Sequence, residues 1–215
     1  VKAAIFDMDG LIIDSEPLWR LAERETFARV GLELTDAECR QTTGLRSDEV
    51  VGYWFARRPW SGSSRTEVHR NLDARVTELI AERGRAMPGV RRAIDALTGA
   101  GLRLALASSS SHELIAVVLA TLGLEDVFEV TCSGVDEERG KPDPAVYLTT
   151  VRRLGLRARE CCAFEDSAAG VQAAHAAGLF VIAVPAAADF DDPRFDLADL
   201  KLRSLEDFDL QLIDQ

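Results

Sequence analysis

A rhythm in the chain does most to restrict its fold. Short, almost continuous runs of Val, Ile, Leu and Ala alternate with longer stretches whose apolar residues recur at helical spacing. Runs of this kind suit strands of a parallel sheet buried on both faces, and the stretches between them suit crossover helices. The predicted strands are 1–6, 102–107, 128–131, 161–164 and 180–184, with a weaker one at 200–202. The predicted helices between them are 90–100, 114–122, 145–154 and 168–177.

The rhythm fails once. From Glu16 to Arg85 no segment reads as a strand, and the periodicity predicts about four helices. The expected architecture is therefore α/β: a Rossmann-like parallel-sheet core over 1–15 and 88–215, with an inserted α-helical domain over 16–87. Inside the insertion, Pro59-Trp60-Ser61-Gly62 marks a turn, and Ser64 with Glu67 forms a candidate capping box. Met87-Pro88-Gly89 reads as the return hinge. The acidic segment from Asp189 onward is expected to form an edge strand and a closing helix.

In an open parallel sheet, ligands bind beyond the carboxyl ends of the strands, so polar residues there carry the functional signal. The first strand runs into Asp7-Met8-Asp9-Gly10, two carboxylates on one side of an extended chain. Crowded like charges favour a divalent cation, or one carboxyl kept as an acid. By itself such a turn equally suits a solvated acidic loop. A second acidic pair, Glu165-Asp166, follows the strand at 161–164, and two acidic strand ends together suit Mg²⁺, which takes carboxylates, waters and a substrate phosphate. Ser167 is a credible N-cap. The second strand ends in Ser108-Ser109-Ser110-Ser111 ahead of a helix, where hydroxyls and free N–H groups can cradle an anion. Lys141, in Gly140-Lys141-Pro142-Asp143-Pro144, is held in a rigid loop that can neutralise a phosphate.

Charge and composition narrow the partners. A net charge of −11 disfavours nucleic acid and anionic membranes, which need a broad positive field. A small anionic substrate needs only a few local donors and a metal ion. No run approaches the roughly 20 apolar residues of a membrane helix, and the opening run meets Asp7 at once, unlike a signal peptide. Cys39, Cys132, Cys161 and Cys162 show no C-x-x-C spacing and are expected to be reduced, buried thiols of a cytoplasmic protein. A monomer is expected.

Taken in order, Asp7-x-Asp9-Gly10, Ser108, Lys141 in Gly-Lys-Pro-Asp-Pro, and Glu165-Asp166-Ser167 with Gly170 resemble the four motifs of the haloacid dehalogenase superfamily. The match spans almost the whole chain. The insertion resembles that superfamily's helical cap, and the stretch from Asp9 to Pro17 is similar to its β-phosphoglucomutase-like subgroup.

The resemblance implies roles. Asp7 would be the nucleophile, giving an aspartyl-phosphate that water hydrolyses. Asp9 would protonate the leaving group and later take a proton from water. Mg²⁺ would be held by Asp7, the Asp9 carbonyl and Asp166, with Glu165 direct or through water. Ser108, Ser109 and Lys141 would bind the phosphoryl oxygens. Thr43-Gly44-Leu45-Arg46 resembles the cap loop that meets substrate, with Arg46 as the candidate contact and Trp19 as a second one.

Trp19 stands where mutases of the subgroup carry a histidine, which favours hydrolysis over transfer within one sugar. Glu16-Pro17-Leu18-Trp19, the Gly-Leu-Arg loop and Asp192-Pro193-Arg194-Phe195 resemble the bacterial hexitol phosphatases, also described as 2-deoxyglucose-6-phosphate phosphatases. The implied activity is Mg²⁺-dependent hydrolysis of a small sugar or sugar-alcohol phosphate. A phosphosugar mutase and a non-catalytic binding or regulatory protein are the alternatives.

Overall fold

The structure, a computed structural model, describes residues 1–213. Six parallel strands form one sheet in the order β3-β2-β1-β4-β5-β6. They are β1 (Ala3–Phe6), β2 (Arg103–Ser108), β3 (Val130–Ser133), β4 (Cys161–Glu165), β5 (Phe180–Ala183) and the short β6 (Leu200–Lys201). The chain winds outward from β1 through β2 to β3, then crosses back to lay β4 on the other side of β1. The switch in winding direction therefore falls at β1, where such sheets open a crevice at their carboxyl edge. This is the Rossmann-like α/β fold expected.

Four helices occupy the insertion: α1 (Glu16–Ala28), α2 (Asp36–Cys39), α3 (Ser47–Arg57) and α4 (Arg65–Arg83). Four more follow in the core: α5 (Val90–Gly99), α6 (His112–Leu122), α7 (Ala145–Leu154) and α8 (Ala168–Ala176). Ser64 caps α4 by accepting from Glu67 N at 3.1 Å, which makes half of the expected capping box. Two differences from the sequence-based expectation concern boundaries. β3 begins two residues late because Glu129 N bonds Leu104 O before the ladder proper starts. The C-terminal segment has its edge strand, but Leu205–Asp207 and Leu210–Leu212 are 3₁₀ turns where a helix was predicted. Ser204 and Asp209, each accepting a bond from a backbone N–H two residues on, favour such local turns. Among the described residues, no helix is long and apolar enough to cross a membrane.

Strand alternation divides the sheet into two unlike faces. One carries Phe6, Leu104, Leu106, Phe164 and Ile182, and its hydrophobic cluster continues into α1, α3, α4, α5 and α6. The other carries Ala3, Ala105, Ala107, Ala163 and Ala183, with α7 and α8 packed on it. Small residues let those two helices come close to the strands. Asp7 and Glu165 continue this second alternation by one step beyond Ile5 and Ala163, so both carboxylates meet the start of α7, just after Lys141.

The register is fixed by Ile5 opposite Ala163 and Phe6 opposite Phe164, and the two Phe rings stack at 4.7 Å. Phe208 closes on Phe164 edge-on at 5.1 Å. Because this stack is fully buried on the sheet face opposite Asp7 and Glu165, Phe164→Ala should lower stability by about 3–5 kcal/mol, measured by urea denaturation.

Candidate active site

Lys141 is the centre of the site. Its ammonium, 3% exposed, donates to Asp7 Oδ1 at 2.5 Å, to Glu165 Oε1 at 2.6 Å and to the Ala107 carbonyl at 3.2 Å. One side chain thus ties the ends of β1, β2 and β4. Burial works against its charge, but the two carboxylates outweigh that and hold it above the usual lysine range. Tyr147, one turn into α7, donates its hydroxyl to Glu165 Oε1 at 2.5 Å, and its ring lies 5.0 Å from the ammonium. Glu165 Oε2 also accepts from the Ser167 hydroxyl at 3.2 Å. Gly170 makes room for this: a Cβ there would stand 1.9 Å from Glu165 Oε1.

Asp7, Glu165 and Asp166 each offer an oxygen within 4.8 Å of the others. Burial raises Asp7 well above the carboxylate range; Lys141 opposes this, while Glu165 and Asp9 add to it. Asp166 is raised by burial, then by Asp7 and Glu165. With all three ionised and Lys141 charged, the cluster carries two net negative charges, the complement of a divalent cation. At Gly10, φ is 77° and a Cβ would lie 2.0 Å from Asp166 Oδ2, so only glycine leaves that carboxylate its place. The Asp9 side chain stands outside this cluster.

Asp9 is held by three donors. Trp19 Nε1 and the Ser15 hydroxyl donate to Oδ1 at 2.8 and 2.7 Å, and the Ser110 hydroxyl to Oδ2 at 2.7 Å. Trp19 therefore faces the cavity with its ring nitrogen committed to Asp9. Each hydroxyl of the serine run has a separate task. Ser108, buried, accepts from Ser110 N at 3.1 Å; Ser109 donates to the Gly44 carbonyl at 3.0 Å; Ser111 caps α6. Ser109 lines the cavity, whereas Ser108 is not among its lining residues.

Arg46 differs most from its expected placement. It does not line the cavity; its guanidinium donates to the carbonyls of Gly134 and Glu137 at 3.2 and 2.9 Å and pairs with Asp48 and Glu49. Glu49 in turn accepts from Gly140 N at 3.2 Å. The pair straps the helical layer to the loop that carries Lys141, so the neighbouring Thr43, Gly44 and Leu45 are the part of this loop in the cavity.

That cavity has a volume of about 40 Å³, with Asp7, Asp9 and Lys141 at one end and Glu16, Arg20 and Glu23 of α1 also in its wall. A groove of about 1120 Å³ lies outside and shares Glu16, Arg20, Thr43, Leu45, Asp166 and Ser167 with it. Ser15, Ser110, Tyr147 and Glu23 were not singled out from sequence. The last had a signal: Glu16, Trp19 or Arg20, and Glu23 form a polar stripe at helical spacing on a helix that must bury one side.

A family model described as haloacid dehalogenase-like hydrolase matches residues 1–178. The chain is 44% identical over 206 residues to hexitol phosphatase B of Escherichia coli K12, covering 95% of this chain and 93% of that protein. It is 33% identical over 182 residues to a phosphorylated carbohydrates phosphatase of Thermotoga maritima, covering 83% and 82%. The solved structure of CbbY from Rhodobacter sphaeroides in complex with phosphate superposes with a TM-score of 0.91 at 28% identity, covering all of both chains. The chain belongs to the haloacid dehalogenase-like hydrolases. Within that family it is an enzyme of the phosphoric monoester hydrolase class.

Two outcomes follow for stability. Lys141→Ala leaves two buried carboxylates without their counter-charge and should destabilise the fold by about 3–5 kcal/mol at neutral pH, read by chemical denaturation. Glu23, raised by burial to about 8 from 4.5, gives a pH dependence. A raised acid contributes stability fully below its unfolded value and loses it as pH rises through the folded one. Glu16, itself pushed up to about 7 by burial and Asp9, titrates in both proteins, and its charge adds to the rise at Glu23 in the wild type. Relative to Glu23→Gln, the wild type should therefore lose on the order of a few kcal/mol between pH 4.5 and 8, seen as diverging melting temperatures.

Proposed function

We propose that the protein is a Mg²⁺-dependent phosphatase of small sugar or sugar-alcohol phosphates, working through a phosphorylated Asp7. The observation that carries this is the placement of one buried ammonium between Asp7 and Glu165, beside a third carboxylate. It leaves a nucleophile, a counter-charge and a cation-binding set at one strand edge. The names of the Escherichia coli and Thermotoga maritima relatives support the choice of substrate.

Asp7 Oδ attacks phosphorus as the bond to the leaving oxygen breaks, and Asp9 gives that oxygen its proton. Water then attacks the acyl phosphate, Asp9 takes the proton back, and phosphate leaves with Asp7 restored. Trp19 can only donate, so Oδ1 of Asp9 stays an acceptor. The mobile proton therefore sits on Oδ2, where the Ser110 hydroxyl can reverse direction as it comes and goes. Lys141 holds Asp7 in line and offsets charge on the phosphoryl oxygens, with the Ser109 loop beside them. Mg²⁺, held by Asp7, Asp166 and the Asp9 carbonyl, would supply positive charge against the phosphoryl group. Glu165, engaged by Lys141, Tyr147 and Ser167, orients this set from behind.

A cavity of about 40 Å³ has room for a few waters only. Residues 16–87 are accordingly a cap that lifts for loading and closes to exclude water.

Phosphate release from a panel of sugar and sugar-alcohol phosphates, with Mg²⁺ and with EDTA, tests this. Wild type should be active with metal and lose activity in EDTA, and Asp7→Asn should lose at least about a thousandfold in kcat. Release that survives EDTA or Asp7→Asn contradicts the proposal, and conversion of glucose 1-phosphate without release would make the protein a mutase.

A further inference from the structure

Of the three charged residues that α1 turns to the cavity, two satisfy each other. Arg20 Nη1 pairs with Glu16 Oε2 at 3.3 Å, and Thr43 also donates to that oxygen at 3.4 Å. Glu23 has no such arrangement. Its carboxyl is 5% exposed, and among the described residues its buried Oε2 has no hydrogen-bond partner. The Cys39 thiol lies beside it, a weak donor. A buried polar atom left without a partner destabilises the fold, and natural interiors seldom keep one without use. An apolar side chain at this position would carry no such penalty.

The place of Glu23 says what the use is. It lies one helical turn beyond Trp19, whose ring nitrogen touches Asp9, so it stands roughly 6 Å further along the helix from the proton-transfer end. The same cavity wall holds Asp7, Asp9 and Lys141. A phosphoryl group on Asp7 and Lys141 would place its leaving-group carbon chain along α1 toward Glu23. We propose that Glu23 is a specificity-determining residue that hydrogen-bonds a hydroxyl on the carbon chain distal to the phosphoryl group, selecting polyhydroxylated esters over short ones.

The assignment rests on the phosphatase function proposed above. Burial favours the neutral acid, with Cys39 opposing and Glu16 reinforcing. A neutral carboxyl both donates and accepts, as a hydroxyl does, and Oε2 is the atom still free to do so. A site built to bond a hydroxyl rejects the analogue that lacks it far more strongly than an apolar pocket rejects an extra methylene. This distinguishes Glu23 from Glu16 and Arg20, which are already paired with each other through Glu16 Oε2 and Arg20 Nη1.

The test compares kcat/KM for sorbitol 6-phosphate, glucose 6-phosphate and glycerol 3-phosphate, all with Mg²⁺, in wild type, Glu23→Leu and Glu23→Gln. The ratio of the better six-carbon ester to glycerol 3-phosphate should fall by roughly tenfold or more in Glu23→Leu. Glu23→Gln, which keeps a donor and an acceptor, should restore most of that ratio. Which six-carbon ester loses more tells whether the hydroxyl belongs to an open chain or a ring. In wild type, a deoxy analogue lacking the distal hydroxyl should show the same loss, a readout that needs no variant to fold. If the ratio stays within about twofold in a folded Glu23→Leu and the deoxy analogue is turned over equally well, the assignment is wrong while the phosphatase function stands. A wild type inactive on every ester would overturn both.

Discussion

Everything at the catalytic edge of this sheet depends on the Lys141 ammonium shared between Asp7 and Glu165. Those two carboxylates sit at the ends of the neighbouring strands β1 and β4, whose Phe6 and Phe164 side chains stack on the opposite face of the sheet. Without a cation between them, two buried acids at adjacent strand ends would repel and take up protons. With it, Asp7 keeps a fixed orientation, and the loop before α7 is fastened to the core at one point. The third bond, to the Ala107 carbonyl, adds the end of β2, so three strand ends share one donor. Tyr147 and Ser167 complete the support from the starts of α7 and α8.

The same cluster accounts for how a chain of net charge −11 could receive a small anion once a divalent cation is bound. Global charge is a property of the whole surface, whereas a phosphate responds to the few groups within a Debye length or less. Here the local balance is three carboxylates against one ammonium, a deficit suited to a divalent cation. Gly10 and Gly170 preserve the geometry by leaving the space that Asp166 and Glu165 occupy. Arg46 and Glu49 contribute from the opposite side, strapping the helical layer to the loop of Lys141.

The sheet was legible because parallel strands buried on both faces must be nearly continuous apolar runs, and the chain has few other such runs. Asp7, Lys141 and the Glu165-Asp166 pair could be found because strand ends in this architecture gather at one edge, whatever the sequence distance between them. Partnerships that depend on side-chain direction were not legible. Ser108 to Ser111 looked like one anion cradle, yet their hydroxyls go to four different tasks, set by how the chain turns from β2 into α6. Arg46 lies next to the cavity loop in sequence but spends its guanidinium on the carbonyls of Gly134 and Glu137, because at the start of α3 its side chain is directed to the loop after β3. Glu23 carried a visible signal in its helical spacing, but a polar stripe says nothing about which member lacks a partner. The C-terminal turns were hidden for a similar reason: Ser204 and Asp209 bond their own backbone and so stop a helix that apolar spacing alone would allow.

Phosphorylation of Asp7 itself is the central claim and is open to direct measurement. Asp9→Asn should slow hydrolysis of the acyl phosphate, and nitrophenyl phosphate, whose leaving group needs no proton, should still load the enzyme. After acid quench and borohydride reduction, peptide mass spectrometry should find homoserine at position 7. If substrate is turned over but position 7 remains aspartate in this experiment, or the reduced residue is Asp166, the nucleophile has been assigned to the wrong carboxylate.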